Sequence, residues 1–161
     1  MQAAPIPPDE EKRLEAVHRM ALLDTAPEER FDRLTKEAVE RLKVPISTIT
    51  ILDANREWFK SCQGLDEKEG GRAVSFCGHA LLAKSVFIIE DTLEDPRFAD
   101  NPMVVSVPFI RFYAGVALLN HTTGQPIGVF CVKDTKPRQF NLEETSILLD
   151  LANRAEKELN A

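Results

Sequence analysis

Residues 44–52 restrict the fold of this chain more than any other segment. They read Val-Pro-Ile-Ser-Thr-Ile-Thr-Ile-Leu, which is rich in β-branched residues and has apolar side chains in both alternation phases. Such a segment predicts a central strand that is covered on both faces. Residues 53–56 are typical of a turn, and residues 58–62 predict a strand that returns beside the first one as a hairpin. The chain must therefore supply helices or loops for both sides of a sheet.

A first helix precedes this hairpin. Acidic residues at positions 9–11 favour its start, and we expect it to reach about Leu23. Its apolar residues Leu14, Val17 and Ala21 form a narrow stripe beside a wide polar face. The helix therefore either packs on the rest of the chain or pairs with a partner chain.

Capping boxes predict the start of two further helices. Thr25 with Glu28 begins the second helix, which Pro45 ends, and Asn141 with Glu144 begins the last one. Between them, the predicted elements are a helix at 75–84, a strand at 86–89, a short helix at 103–109 and strands at 112–120 and 127–133.

This order of elements predicts an α+β fold in a single domain of 161 residues. We expect an antiparallel sheet of about five or six strands. The N- and C-terminal helices should cover one face, and short helices and loops should form a pocket on the other.

The composition excludes several classes of partner. The chain has 26 acidic and 20 basic residues, and no basic run is long enough to follow a nucleic acid backbone. No segment has the apolar length of a membrane span, and the N-terminus lacks the pattern of a signal peptide, so we expect a cytoplasmic protein with no membrane partner. Three cysteines without Cys-x-x-Cys spacing indicate neither a disulfide framework nor a zinc site, and no metal site is predicted.

Several motifs resemble one family when they are taken in chain order. They are Val44-Pro45-Ile46, Trp58-Phe59-Lys60-Ser61, Ser75-Phe76-Cys77-Gly78-His79-Ala80 and Arg111-Phe112-Tyr113-Ala114-Gly115. Together with the order of elements, they are similar to the GAF domains of bacterial signalling proteins, especially those found with histidine kinase or diguanylate cyclase modules. The resemblance covers about residues 25–159.

This resemblance implies a non-enzymatic sensor or regulatory domain that binds a small molecule. Residues 1–24 would then be an N-terminal dimerisation helix, and residues 25–161 the GAF domain with its C-terminal signalling helix. A homodimer through the terminal helices would pass a conformational change to a histidine kinase or diguanylate cyclase output partner. Neither the ligand nor a cofactor is identified by the sequence.

The candidate ligand-binding residues lie mostly between positions 75 and 113, where the unusual chemistry of the chain is concentrated. They are Trp58, Ser75, Phe76, Cys77, His79, Asp95, Phe98, Asn101, Arg111 and Tyr113. We assign no catalytic residue.

Two of these candidates have a structural interpretation beside the functional one. Cys77, near the start of a helix, is either a thiol whose pKa the helix dipole lowers or a small residue packed beneath the pocket. Arg111 either contacts an anionic group of a ligand or holds a long loop through Asp95 or Asp100.

Two other functions stay open. Phe76-Cys77-Gly78 is similar to the Gly-x-Cys-Gly stretch of free methionine-R-sulfoxide reductase, which implies a thiol-based redox enzyme or sensor. That family has a second, essential cysteine in the segment that corresponds to residues 94–101, where this chain has none. The other alternative is a ligand-free dimerisation module. The motifs of cyclic-nucleotide-binding and bilin-binding GAF domains are not found here, and haem at His79 would rest on one imidazole alone.

Overall fold

The computed structural model describes all residues from Met1 to Ala161. The helices are α1 (Glu10–Arg19), α2 (Glu29–Leu42), α3 (Phe76–Ala80), α4 (Pro102–Val105) and α5 (Leu142–Leu159). The strands are β1 (Ile46–Leu52), β2 (Arg56–Gln63), β3 (Glu69–Gly71), β4 (Phe87–Ile89), β5 (Phe112–Leu119) and β6 (Pro126–Asp134). A short 3-10 helix, Thr92–Glu94, lies between β4 and α4.

The strands form one antiparallel sheet in the order β3-β2-β1-β6-β5-β4. β1 is the central strand of the prediction, paired with β2 on one side and β6 on the other, and all seven of its residues are buried. The α+β architecture and the covered central strand are thus confirmed.

One face of the sheet is covered by α1, α2 and α5. Alternate residues of the central strands, such as Ile49 and Phe130, join these helices in a core of 22 buried residues. Ala16 and Val17 of α1 belong to the same core. Helix α1 therefore packs on its own sheet, which is the first of the two arrangements that its apolar stripe allowed.

The ends of the first two helices differ from the prediction. α1 stops at Arg19, because Ala21 and Asp24 adopt positive φ angles that a right-handed helix does not accommodate. Thr25 does not cap α2. Its hydroxyl donates to the Leu22 carbonyl and accepts a bond from a lysine of β2, and α2 begins at Glu29 without a side-chain cap.

Other short elements also differ, whereas the start of α3 near Ser75 and the capping box of α5 are as predicted. β3 lies where no strand was predicted, because its three residues include two glycines, and α3 and α4 are shorter than expected. The Ser75 hydroxyl does cap α3, and Asn141 with Glu144 does form the capping box of α5. None of the helices has both the length and the apolar character needed to cross a membrane.

Candidate functional site

The second face of the sheet carries polar side chains that are nevertheless fully buried. Strand alternation directs Thr48 and Thr50 of β1 and Cys131 and Lys133 of β6 to this face, away from α2 and α5. Helix α3 lies over them, anchored by its Ser75 cap. We call this region the α3 site.

Aromatic rings form one wall of the α3 site. The Phe76 ring stacks on Phe98 at a centroid distance of 4.7 Å and on Tyr113 at 5.4 Å. The edge of His79 meets Phe98 at 4.7 Å, and Phe87 completes the group. The structure thus brings six of the candidate residues together, namely Ser75, Phe76, Cys77, His79, Phe98 and Tyr113.

Hydroxyl and thiol groups form a connected network beneath α3. The Tyr113 hydroxyl donates to Cys77 Sγ at 3.1 Å, and the Cys77 thiol lies 3.7 Å from Thr50 Oγ1. Thr48 Oγ1 lies 2.7 Å from Thr50 Oγ1 and 3.0 Å from Cys131 Sγ. Buried polar groups are costly unless they are bonded, so this network is what allows them on an apolar face.

Gly115 explains how Tyr113 reaches this network. The tyrosine side chain folds back along β5, so that a Cβ atom added at Gly115 would lie 2.4 Å from the Tyr113 hydroxyl oxygen. Only glycine leaves room for the ring in this position.

Two side chains of opposite charge are buried in the α3 site. Glu57 of β2 is 2% exposed, and its carboxylate accepts a hydrogen bond from the Ser75 hydroxyl. Lys133 is 1% exposed and forms no salt bridge; its Nζ lies 6.0 Å from the centre of the Phe76 ring. A buried ammonium group without a paired carboxylate is unusual, because desolvation of a lone charge costs several kcal/mol.

The pKa values of the two fully buried thiols shift in opposite directions. Burial raises the pKa of Cys77 well above its ordinary value. Burial alone would also raise the pKa of Cys131, but the Cys77 thiol, the Lys133 ammonium group and the Thr48 hydroxyl together lower it to about 7. Burial would lower the pKa of Lys133, yet the Cys131 thiolate and the Glu57 carboxylate raise it.

These shifts bear on the two interpretations of Cys77. Desolvation exceeds the dipole of a five-residue helix, so burial raises the pKa of this thiol and keeps it protonated. The packed interpretation of Cys77 is the one that the structure supports. Cys131, a buried residue of β6, is the thiol with the lowered pKa.

Arg111 binds a different carboxylate from those expected. Its guanidinium group donates to Asp91 Oδ1 at 3.1 Å, and Asp91 also caps the short 3-10 helix. Asp95 instead pairs with Arg97 at 2.6 Å, and Asp100 is not a partner either. The structural role of Arg111 holds, whereas the predicted partners are wrong because the loop turns back at Asp91.

The last two candidates lie away from the network. Trp58 belongs to the core on the helix-covered face, so it does not line the α3 site. Asn101 caps α4 through Met103 N and donates to the Val74 carbonyl at 3.0 Å. It therefore ties the irregular segment after β4 to the loop before α3.

Sequence reasoning missed Lys133, Glu57, Thr48 and Thr50. A lysine at the end of an apolar strand is typical of a solvated strand terminus, and nothing local indicated that α3 covers it. The signal that could have found Lys133 is the alternation of side chains along β6, because Lys133 points to the same face as Cys131 and to the opposite face from Val132.

The N-terminal residues lie across the outside of α3. Gln2 N donates to the Arg97 carbonyl at 3.0 Å, and Ala4 N donates to the Ala73 carbonyl at 3.0 Å. His79 Nε2 lies 3.2 Å from the Gln2 carbonyl oxygen. We call residues 2–6 the N-terminal strap; it closes the α3 site from outside.

Gly78→Ala is expected to displace the N-terminal strap. The added Cβ would lie 2.6 Å from Ala4 Cβ, whereas alanine favours α3 itself by its helix propensity. Hydrogen exchange at the Ala4 amide should therefore rise while the sheet stays protected. Gly71→Ala is the matched control, because its Cβ would meet Val74 at an ordinary 3.8 Å. Equal protection of the strap in both variants would contradict its contact with Gly78.

A separate groove lies at the β2 edge of the sheet. It measures about 490 Å³ and runs between Trp58, Lys60 and Lys68. Its buried ammonium group is already satisfied, because Lys60 Nζ binds Thr25 Oγ1 and the Ala26 carbonyl at 2.7 Å each. The groove therefore offers no unpaired buried charge, in contrast to the α3 site. No set of three or more His, Cys, Asp or Glu side chains is arranged to hold a metal ion in either place.

Known proteins resemble this chain in both sequence and fold. The GAF domain family matches residues 26–159. The cyclic di-GMP phosphodiesterase PA2567 of Pseudomonas aeruginosa is 41% identical over 138 residues, which is 86% of this chain. The chain spans only 23% of that protein's length.

Solved structures agree on the fold at low sequence identity. The GAF domain of an Acinetobacter phosphoenolpyruvate-protein phosphotransferase superposes with a TM-score of 0.63 at 16% identity, covering 92% of each chain. A free methionine-R-sulfoxide reductase from Neisseria meningitidis gives a TM-score of 0.62 at 18% identity, covering 99% of this chain and 98% of its own. Because the family match extends over most of the sequence, this chain belongs to the GAF domain family.

Proposed function

We propose that this GAF domain is a non-enzymatic sensor that binds a small molecule in the α3 site and regulates an output domain. The site combines a stacked aromatic wall with hydroxyl groups and two buried charges, which suits a small polar ligand. The ligand enters when the N-terminal strap and α3 move outward together.

Lys133 is the observation that carries this proposal. A purely structural core would gain stability from an apolar side chain at this position, since buried charges are often replaced by apolar residues without loss. A retained ammonium group that lies near an aromatic ring and forms no salt bridge is therefore best explained by a ligand with an anionic group.

The output is proposed to be turnover of cyclic di-GMP. The Pseudomonas relative is named as a cyclic di-GMP phosphodiesterase, and this chain matches less than a quarter of it. The matched part of the relative would then be a sensor domain within that larger protein, which explains why the match covers only 23% of its length. The output partner would then be a phosphodiesterase rather than the histidine kinase or diguanylate cyclase expected from the sequence.

The reductase alternative has weaker support. The likeness to methionine sulfoxide reductases is one of fold, at 16–18% identity. Cys77, the residue that corresponds to the reductase motif, is fully buried, and burial raises its pKa. Substrate turnover needs a thiolate that the substrate can reach.

Lys133→Met is expected to abolish ligand binding without unfolding the domain. Native mass spectrometry of the undialysed protein should show wild type with a non-covalent small molecule and the variant without it. Methionine fills the same buried volume and removes the desolvated charge, so the melting temperature should stay equal or rise. Lys136→Met, at an exposed position just beyond β6, is the control and should keep the ligand. Ligand retained by Lys133→Met would contradict the proposal.

A further inference from the structure

The groove at the β2 edge follows the edge of the sheet rather than one of its faces. Every residue from 58 to 63 lines it. Successive side chains of a strand point to opposite faces, so a groove that touches all of them in succession runs beside the strand backbone. At a rise of about 3.3 Å per residue, the groove follows about 20 Å of β2. It is long enough to hold several residues of an extended chain.

Part of this edge has no backbone partner. β3 pairs with β2 only over residues 56–58, and Phe59 N donates to the Lys68 carbonyl at 3.0 Å. β2 then has one extra residue, Lys60, opposite β1. After this bulge β2 pairs with β1 as far as Gln63, but no strand or loop backbone bonds to its other side. The outward N–H and C=O groups of residues 60–63 are therefore free to pair with an added strand.

The lining of the groove is acidic. Two lysines line it against five carboxylates, namely Asp24, Asp32, Asp66, Glu67 and Glu69. One of the lysines is not accessible, because the Lys60 side chain has no exposed surface and its ammonium group pairs with Glu28 at 2.8 Å. Asp66 and Glu67 are exposed and form no salt bridge within the chain. The charge of the groove therefore favours a cationic partner.

We propose that this groove docks an extended basic segment of a partner protein, which adds to the sheet as a strand beside residues 60–63. Main-chain hydrogen bonds to the free edge hold the segment in register. Its lysine or arginine side chains meet the carboxylates of Asp66 and Glu67, and their aliphatic stems lie on the partly exposed side chains of Phe59 and Leu65. A second copy of this chain is a poor occupant, because its net charge of −6 opposes the approach of two acidic grooves.

Docking at this edge does not depend on the small molecule proposed for the α3 site. The α3 site lies over β1 and β6, whereas the groove lies beside the outer edge of β2. A basic segment can therefore dock when the α3 site is empty. Failure of the docking proposal leaves the proposed sensor function as it stands, and the reverse is also true.

The test uses the full chain and the synthetic peptide Lys-Val-Lys-Val-Lys-Val-Lys as the probe. Isothermal titration should show binding, and hydrogen exchange at residues 60–63 should become slower in the complex. The same peptide with every backbone nitrogen methylated keeps its charge but has lost its main-chain donors. It should bind about tenfold more weakly or less, because several backbone hydrogen bonds are lost.

Two double variants locate the binding site. Asp66→Lys with Glu67→Lys reverses the exposed charges of the groove and should weaken binding of the unmethylated peptide about tenfold. Glu11→Lys with Glu15→Lys makes the same change of net charge on the exposed face of α1 and should leave the affinity within about twofold.

Three results would overturn the proposal. The first is no binding of the unmethylated peptide to wild type. The second is equal affinity for both peptides, which would indicate a site for cations without strand addition. The third is an equal loss in both double variants, which would indicate general attraction to an acidic chain.

Discussion

Phe98→Ala is expected to lower the free energy of unfolding by about 3–5 kcal/mol, because it deletes a fully buried ring from a packed cluster. Phe98 has no exposed surface, and its ring contacts Phe76 and His79 at centroid distances of 4.7 Å each. The neighbouring elements are a short helix and an irregular loop, which have few other contacts to hold them in place. Urea denaturation measures this loss.

Phe109→Ala is the matched control for this measurement. Phe109 lies in the same part of the chain but is 51% exposed, so its removal should change the free energy of unfolding by no more than about 0.5 kcal/mol. Thiol labelling of Cys77 should also become faster in Phe98→Ala and not in Phe109→Ala. Equal, small losses in both variants would show that Phe98 does not hold the α3 site closed.

Glu10→Gln is expected to destabilise the domain by about 3 kcal/mol, because it leaves two buried guanidinium groups without their carboxylate. Glu10 Oε1 accepts from Arg13 Nε at 2.5 Å, and Glu10 Oε2 lies 2.8 Å from Arg72 Nη2. The side chain of Arg13 has no exposed surface and that of Arg72 has 3%. The Glu10–Arg72 pair joins α1 to the residue that follows β3, whereas the Glu10–Arg13 pair lies within α1.

Glu11→Gln removes the same charge from an exposed neighbour and should have little effect on stability. In Glu10→Gln, hydrogen exchange should rise first across α1, before the sheet opens. If the two variants unfold at the same urea concentration, the ion pairs do not hold α1 to the sheet.

The sequence predicts a homodimer through the terminal helices. In the structure, Ala16 and Val17 of α1 are buried against the chain's own sheet, so a dimer through α1 would require its release. We propose that any homodimer uses α5, where Leu142 and Leu149 remain exposed. Sedimentation of wild type and of Leu149→Lys at micromolar concentration tests this: loss of the dimer in the variant supports it, and an unchanged dimer excludes this side of α5.

Much of the fold was predictable because the local sequence patterns agree with the helices and strands that form. The β-branched run at residues 44–52 indicated a central strand, and the caps at Ser75 and Asn141 fixed where α3 and α5 begin. Strand β3 was not predicted, because a three-residue segment with two glycines shows no hydrophobic periodicity. It nevertheless pairs with β2 over residues 56–58.

The site was predicted only in part, because its chemistry depends on which strand face meets α3. Alternation separates Trp58 from Glu57, but it does not tell which of them faces the helices and which faces the α3 site. Arg111 had several aspartates near it in sequence, and the path of the loop selected Asp91. The burial of Lys133 could be predicted only with the knowledge that α3 covers this end of β6.

We propose that the α3 site, and not the groove at the β2 edge, binds the small molecule. Hydrogen exchange tests it most directly when the protein purified with its small molecule is compared with the same protein after the molecule is removed. Bound ligand is expected to slow exchange at residues 78–83 and in the N-terminal strap and to leave residues 59–68 unchanged. Protection confined to residues 59–68 would place the ligand in the groove and contradict binding in the α3 site.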